Sequence, residues 1–364
     1  MKILIICHFG IYENTARAFR TYELLKKMQE HQYDIDLLVG SEKRLYKKFK
    51  LGSSNKNIPT CNKNVKQKKW VFIRKIGSYI LNYLSGDMVI LKYYGPCKKL
   101  IFDKDYDAVL SIGQPFYPHM IAATASISNT AIKIADCGDP FYIKGKHMAP
   151  YLAIMQKKIF SQFHYVVVPT VKALPYYVNY IKKDKLVVIP QGVDFSSFKL
   201  ATYQKNDIPT FGYAGIFYEK LRDPSCFFEY LATIEKNYKF ILYTDTTNLF
   251  FRKTILPMVN KCKGKVVVYN LVKREQCIYE LSMMDFLLNF ENESTIQSPS
   301  KLIDYGITKR PVLSIKTSSF NPCDLDEFLD GNYSKQLQYD ISQFDINIVF
   351  KQFYELFQNA NIGL

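Results

Sequence analysis

Tryptophan occurs once in the 364 residues, at Trp70, and no two of the eight cysteines form a C-x-x-C pair. The cysteines (Cys7, Cys61, Cys97, Cys137, Cys226, Cys262, Cys277, Cys323) are scattered, and the five histidines lie far from one another. That scatter argues against a zinc site or a disulfide framework and fits a reducing compartment. No run approaches the roughly 20 apolar residues that a membrane-crossing helix needs. Any membrane contact is therefore expected to be peripheral, on a cytoplasmic protein at the inner face of the plasma membrane. The opening Met1–Cys7 stretch is too short for the apolar core of a signal peptide and reads as a first buried strand. Repeats are absent, and no Asp-x-Asp pair stands at the carboxyl end of an expected strand, so no metal is called for.

What is present is a folded, globular composition with length enough for two domains. The net charge of +16 is unevenly spread. Residues 1–200 hold 31 basic and 14 acidic side chains, a net +17, while the remainder nets −1. Within Glu42–Lys75 there are 12 basic residues and one acid, interleaved with Leu45, Tyr46, Phe49, Leu51, Trp70, Phe72 and Ile73. Such a block attracts an anionic surface: lipid head groups, nucleic acid or a phosphorylated acceptor. The alternative is a solvated loop, with the apolar Ile76–Leu84 that follows as buried core.

The first half alternates strands and helices. Strands are expected at Ile3–Cys7, Asp34–Val39, Tyr106–Ser111, Ile132–Ala135, Tyr165–Val168 and Leu186–Ile189. Helices are expected at Thr15–Gln29, Trp70–Leu84, Pro118–Ser128 and Tyr151–Phe163. After a linker at Ser196–Asp207 the alternation restarts. Strands follow at Thr210–Tyr213, Lys239–Tyr243, Val266–Tyr269, Phe286–Asn289 and Val312–Ile315, with helices at Cys226–Ile234, Thr254–Val259, Glu275–Met283 and Ser300–Gly306. An amphipathic helix is expected at Phe344–Phe357. This βαβ rhythm implies parallel sheets with helices on both faces and ligands at the carboxyl ends of the strands.

Asn289–Val312, NFENESTIQSPSKLIDYGITKRPV, carries the densest chemistry. Ser298 suits an N-cap and Pro299 the first helical turn. Ser300 and Lys301 add a hydroxyl and an amine to a helix N-terminus, an arrangement that binds anions, phosphates above all. One turn on, Asp304 offers a carboxylate to ribose hydroxyls. The bland reading is an ordinary capped helix.

Three further segments stand in a fixed order around it. They are KLVVIPQGVDFSSF at Lys185–Phe198, GYAG at Gly212–Gly215 followed by Leu221-Arg222-Asp223-Pro224, and SIGQPFYPH at Ser111–His119 with Ile134–Pro140. Together the four segments resemble glycosyltransferase family 4, a GT-B family, in its bacterial surface-polysaccharide type. The resemblance implies an α/β fold of two Rossmann-like domains facing a cleft. Residues 1–195 would bind the acceptor and residues 196–340 the sugar nucleotide, and a helix in 341–364 would pack back on the first domain. It implies retention of configuration, a UDP- or GDP-linked donor, a lipid-linked saccharide acceptor, no metal and no nucleic acid.

The resemblance also assigns residues. Arg222 would neutralise the diphosphate of the leaving nucleotide, and a mobile-proton role falls to the departing phosphate rather than to a side chain. His119 and Asp139 would line the cleft near sugar and acceptor, whereas Asp136 reads as structural. Gly10 would permit close approach of a donor phosphate or an acceptor, Gly215 would belong to the donor-binding loop, and Leu271 and Val272 would meet the base through their backbone. Ile216 stands where many members carry a second basic residue, so Lys220 or Lys301 must supply that charge. Ile296 stands where the first acid of the motif belongs, leaving Glu291 or Glu293 to replace it. The rival readings are a sugar-nucleotide 2-epimerase of the same fold, for which no convincing acid–base carboxylate pair is found, and a nucleic-acid-binding protein, for which no module signature is present.

Overall fold

The computed structural model describes residues 1–13, 15–52, 79–144, 148–219, 222–291 and 301–359. The chain divides into two units, Met1–Val193 with Phe344–Leu364, and Asp194–Gln343.

The first unit is built on a seven-stranded sheet. Its strands are β1 (Lys2–Cys7), β2 (Asp34–Val39), β3 (Arg44–Tyr46), β4 (Ala108–Ile112), β5 (Ile132–Asp136), β6 (Tyr165–Val168) and β7 (Leu186–Val188). They lie in the order β3-β2-β1-β4-β5-β6-β7. All pairs are parallel except β2–β3, which is antiparallel. β3 sits inside the basic stretch, where no strand is expected from the sequence.

The period of two along each strand divides its side chains between two cores. Ile3, Ile5 and Cys7 pack with α1 (Ala16–Glu30) and the last helix. Leu4 and Ile6 pack on the opposite face with Ile90 and Cys97 of α2 (Met88–Lys98), Tyr117 and Ile121 of α3 (Tyr117–Thr124), and Ile159 and Phe160 of α4 (Tyr151–Phe160). Thr15 caps α1, its hydroxyl accepting from the Ala18 N–H at 3.1 Å. α2 has no counterpart among the expected helices: its Gly95 and Pro96 read as a turn. Of the helix expected at Trp70–Leu84, residues 70–78 lie outside the described residues, while 79–85 are helical.

The second unit has a five-stranded, wholly parallel sheet in the order β10-β9-β8-β11-β12. The strands are β8 (Thr210–Ala214), β9 (Lys239–Thr244), β10 (Val266–Asn270), β11 (Phe286–Phe290) and β12 (Val312–Ile315). Phe211 on the central strand stacks between Phe240 and Phe286 of its two neighbours, at centroid distances of 4.8 and 4.7 Å. The helices are α5 (Ser225–Thr233), α6 (Leu256–Lys261), α7 (Arg274–Ser282), α8 (Lys301–Thr308) and α9 (Pro322–Leu329), of which α9 has no sequence-based counterpart. The expected linker is tied down at its C-terminal part. Buried Asp285 accepts from the Tyr203 hydroxyl at 2.8 Å and from the N–H groups of Asn206 and Thr210 at 3.1 and 2.7 Å.

The last helix, α10 (Ile346–Asn359), belongs to the first unit. Its Ile346, Val349, Phe350, Phe353, Leu356 and Phe357 form one apolar stripe against the α1 face of the sheet.

Candidate functional site

In a doubly wound sheet, ligands settle where the chain reverses its direction of strand addition. Each unit has one such point. In the second unit it lies between β8 and β11, which are adjacent in the sheet but not consecutive in the chain. In the first it lies between β1 and β4.

At the β8/β11 point, β8 ends in Ala214 and turns at Gly215. A Cβ on Gly215 would come within 2.9 Å of both the Lys301 Nζ and the Tyr213 hydroxyl, and its φ is +155°. Only glycine leaves that space. Lys301, the first residue of α8, donates from Nζ to the Tyr213 hydroxyl at 2.8 Å. Arg222 donates from Nη1 to the same hydroxyl at 3.3 Å and to the Ile216 carbonyl at 3.1 Å. Its position is fixed by paired backbone hydrogen bonds with Tyr218. Two basic side chains therefore converge on one phenolic oxygen. Burial, with the Arg222 charge beside it, holds the Lys301 amine well below its ordinary pKa. Burial pushes the Tyr213 phenol up to about 12 against the pull of Arg222. Tyr213 is a site residue that the sequence reading places only as part of a strand.

Asp304, one turn into α8, is engaged. Arg274 of α7 donates to its Oδ1 from Nε at 2.9 Å and from Nη2 at 2.6 Å. Surrounding protein raises the Asp304 pKa, and Arg274 opposes that shift. A ribose hydroxyl would join an existing ion pair, not a lone carboxylate. Leu271 is half exposed beyond β10, and its N–H donates to the Asn270 side chain at 2.9 Å, so that amide is already used. Val272 packs against the apolar cluster that contains Leu281, Leu302 and Tyr305. Glu291 accepts from the Ser314 hydroxyl at 2.8 Å. Lys220, Glu293, Ser298 and Ser300 lie outside the described residues.

The β1/β4 point opens into a cavity of ≈ 380 Å³. His8 follows β1, Gln114 follows β4, and Asp139 follows β5, all three lining it. The walls are aromatic, with Phe116 stacked on Phe141 at 4.1 Å. Aromatic faces with a few polar groups are what a sugar ring requires. His119 lines the cavity from the core side: it is buried, with Nδ1 2.7 Å from the Ser111 hydroxyl and Nε2 3.7 Å from the Cys137 sulfur. Burial, with Arg17 nearby, lowers its pKa to about 3, so the ring is neutral and is no acid at ordinary pH. Asp136 forms a buried pair with Arg20, at 2.5 and 2.9 Å, and Arg20 also donates to the Ile189 and Pro190 carbonyls.

His8 was not singled out in the sequence. Its Nδ1 lies 2.8 Å from the Tyr117 hydroxyl, and burial lowers its pKa while Glu13 and Asp87 raise it. The signal available was its place directly after the first strand. Gly10 is not open to an anion. Its N–H donates to Glu13 Oε1 at 2.7 Å, and a Cβ there would meet the Glu42 and Glu13 carboxylates at 3.1 and 3.2 Å. Those charges repel a phosphate but suit hydroxyls, which corrects the phosphate half of the expectation for Gly10.

Among the described residues no group of three or more His, Cys, Asp or Glu could hold a metal ion, and no helix is long and apolar enough to cross a membrane.

No family model matches the sequence, and no curated protein matches it. Solved structures do. HepE of Anabaena, in complex with UDP-glucose, superposes with a TM-score of 0.58 at 12% identity, covering 99% of this chain and 100% of that one. The lipopolysaccharide outer core galactosyltransferase WaaB gives 0.57 at 12% identity, with 98% and 99% covered. The α,α-trehalose 6-phosphate synthase of Burkholderia multivorans gives 0.57 at 10% identity, with 99% of each chain covered. The chain thus has the GT-B fold class: two α/β units, one on a wholly parallel sheet and one on a sheet parallel but for its edge strand β3.

Proposed function

We propose that the protein is a retaining glycosyltransferase resembling family 4, which moves a sugar from a UDP- or GDP-linked donor to a lipid-linked glycan in bacterial surface-polysaccharide synthesis. The observation that carries this reading is the convergence of Arg222 and Lys301 on the Tyr213 hydroxyl at the switch point of the second unit. A diphosphate placed against both would accept hydrogen bonds from the guanidinium and the amine and would favour the charged form of the amine. Charge that builds on the leaving phosphate during transfer is then stabilised by groups already in place. Arg222 and Lys301 take the part that a metal plays elsewhere, so the reaction is metal-independent in this reading.

The donor belongs to residues 196–340 and the acceptor to residues 1–195. In the cavity of the first unit, Asp139, Gln114 and His8 offer polar contacts to hydroxyls against aromatic walls. Neutral His119 serves to position the wall, and the departing phosphate takes the acceptor proton. The HepE and WaaB likenesses support a sugar nucleotide as donor and make UDP the first nucleotide to try. The basic stretch Glu42–Lys75 supports action at the inner face of the membrane, though its residues 53–75 (Trp70, Phe72, Ile73, Lys66, Lys68 and Lys69 among them) lie outside the described ones.

The test is donor turnover. Incubated with a panel of UDP- and GDP-sugars, the wild type should release nucleotide slowly without acceptor, and the anomeric configuration of the product, read by NMR, should match that of the donor. Arg222→Ala should lower turnover by about 2–4 kcal/mol of transition-state stabilisation, roughly 30- to 1000-fold. A variant within threefold of wild type would sink the assignment of Arg222.

A further inference from the structure

The segment between the basic stretch and β4 exposes apolar side chains where a globular protein buries them. Ile80, Leu81 and Leu84 on the helix 79–85 are each more than two-fifths exposed, Leu91 on α2 is 62% exposed, and Ile154 on α4 is 71% exposed. The helix 79–85 and the start of α4 adjoin: the Ala149 N–H donates to the Tyr83 carbonyl at 3.0 Å, and the Tyr151 hydroxyl donates to that of Leu84. Gly86 then turns the chain at φ +70°, where a Cβ would strike Phe141 and Leu152, and α2 follows. The expectation that Ile76–Leu84 is buried core fails for its described part.

Basic charge borders this surface. Lys92 and Lys98 belong to α2 and Lys99 is its C-cap. The ammonium groups of Lys43 and Lys92 both stand over the Tyr93 ring, at 5.5 and 4.9 Å. In the sequence, the stretch with 12 basic residues and one acid leads directly into it. The same turn reaches the cavity: Asn82, Gly86, Asp87 and Val89 line it, while Leu84 and Leu91 point to solvent.

We infer that this face, formed by the helix 79–85, the exposed edge of α2 and the start of α4, docks on a bilayer bearing anionic head groups and sets the acceptor cavity beside the membrane. It rests on the preceding reading in taking that cavity for the acceptor site. Two other occupants fit less well. A second copy of the chain would bring like basic charges together across a symmetric contact. A nucleic acid would leave the leucines and isoleucines without an apolar partner. A bilayer interface accepts both components, with aliphatic and aromatic groups at the head-group boundary and lysines on the anionic heads.

The experiment is co-sedimentation of the full chain with vesicles of phosphatidylcholine alone or with phosphatidylglycerol, at low and high salt. The wild type should bind the anionic vesicles, at least tenfold more tightly than the neutral ones, and lose that binding as salt rises. The variant Ile80→Ser/Leu84→Ser/Leu91→Ser/Ile154→Ser should bind at least tenfold more weakly, and Lys92→Glu/Lys98→Glu/Lys99→Glu should lose the preference for anionic lipid. Wild-type failure to bind anionic vesicles at low salt, equal binding to neutral vesicles, or undiminished binding by the serine variant would each overturn the proposal. Donor turnover on the same samples separates the two readings. Lost vesicle binding with intact turnover leaves the transferase reading standing, and vesicle binding by a protein that turns over no donor leaves the docking face standing alone.

Discussion

At the scale of residues, the second unit's site is an electrostatic device, and its pH behaviour follows from it. The Lys301 amine is held below its ordinary pKa by burial and then by Arg222. A bound diphosphate favours the charged amine and raises that pKa again. Between the two values, binding takes up a proton, so affinity for UDP should fall as pH rises through that window, by up to about tenfold per unit. Calorimetry in two buffers of different ionisation heat should give different apparent enthalpies for the wild type and equal ones for Lys301→Met. His119 supplies a second pH effect, on stability. Its folded pKa of about 3 lies below the ordinary 6.5. The unfolded chain therefore gains a proton that the native state refuses, and stability should fall as pH drops from 6.5 towards 3, by up to about 1.4 kcal/mol per unit. Urea titrations at pH 7, 6, 5 and 4 should show that slope, and His119→Gln should flatten it. The segments that hold Lys301, Asp304, Arg222 and His119 were legible as motifs. Their partners were not, because Tyr213 and Lys301 are 88 residues apart and Arg274 and Asp304 are 30 apart, and no local spacing encodes a meeting of that kind.

At the scale of elements, α10 closes one face of the first unit's core. Its stripe covers the α1 face of the seven-stranded sheet, and Phe353 at its centre is fully buried, with the Arg20 guanidinium 5.4 Å from its ring centre. Phe353→Ala removes that packing and uncovers a buried ion pair, so unfolding in urea should register a loss of about 3–5 kcal/mol. A loss below 1 kcal/mol would mean that the helix is only loosely applied. Every strand except β3 was readable because apolar runs such as YVVV and KILIIC have no other good home. The elements that were missed have mixed signals. α2 carries Gly95 and Pro96, β3 is three residues in a lysine-rich run, and α9 opens at Pro322 after Asn321, a pair that reads equally well as a turn.

For the whole molecule, the division of labour between the units is a question for exchange measurements. Saturating UDP should slow amide exchange at Tyr213–Glu219 and Lys301–Thr308 and leave β4 and β5 unchanged. Protection in β4 or β5 instead would place the nucleotide in the first unit. Charge follows the same division, since residues 1–200 carry the entire excess of +17. The basic stretch and the proposed donor site thus lie in different parts of the chain, so one can be altered by substitution without touching the other.

The chain passes from the first unit to the second at Val193 and returns at Phe344, and the two passages are laced together. The Val193 N–H donates to the Phe344 carbonyl at 2.8 Å, and the Ile346 N–H donates to that of Val193 at 3.0 Å. During synthesis this reverses the usual order of maturation. Residues 194–343 form a continuous stretch and leave the ribosome before α10 does, so the second unit can complete its core while the first still lacks one wall. The nascent chain must hold Ile3, Ile5, Leu37 and Leu110, the surface that α10 will cover, against aggregation for the time it takes to translate some 150 further residues. Fluorescence or protease probes on stalled chains should find the later-made half protected first.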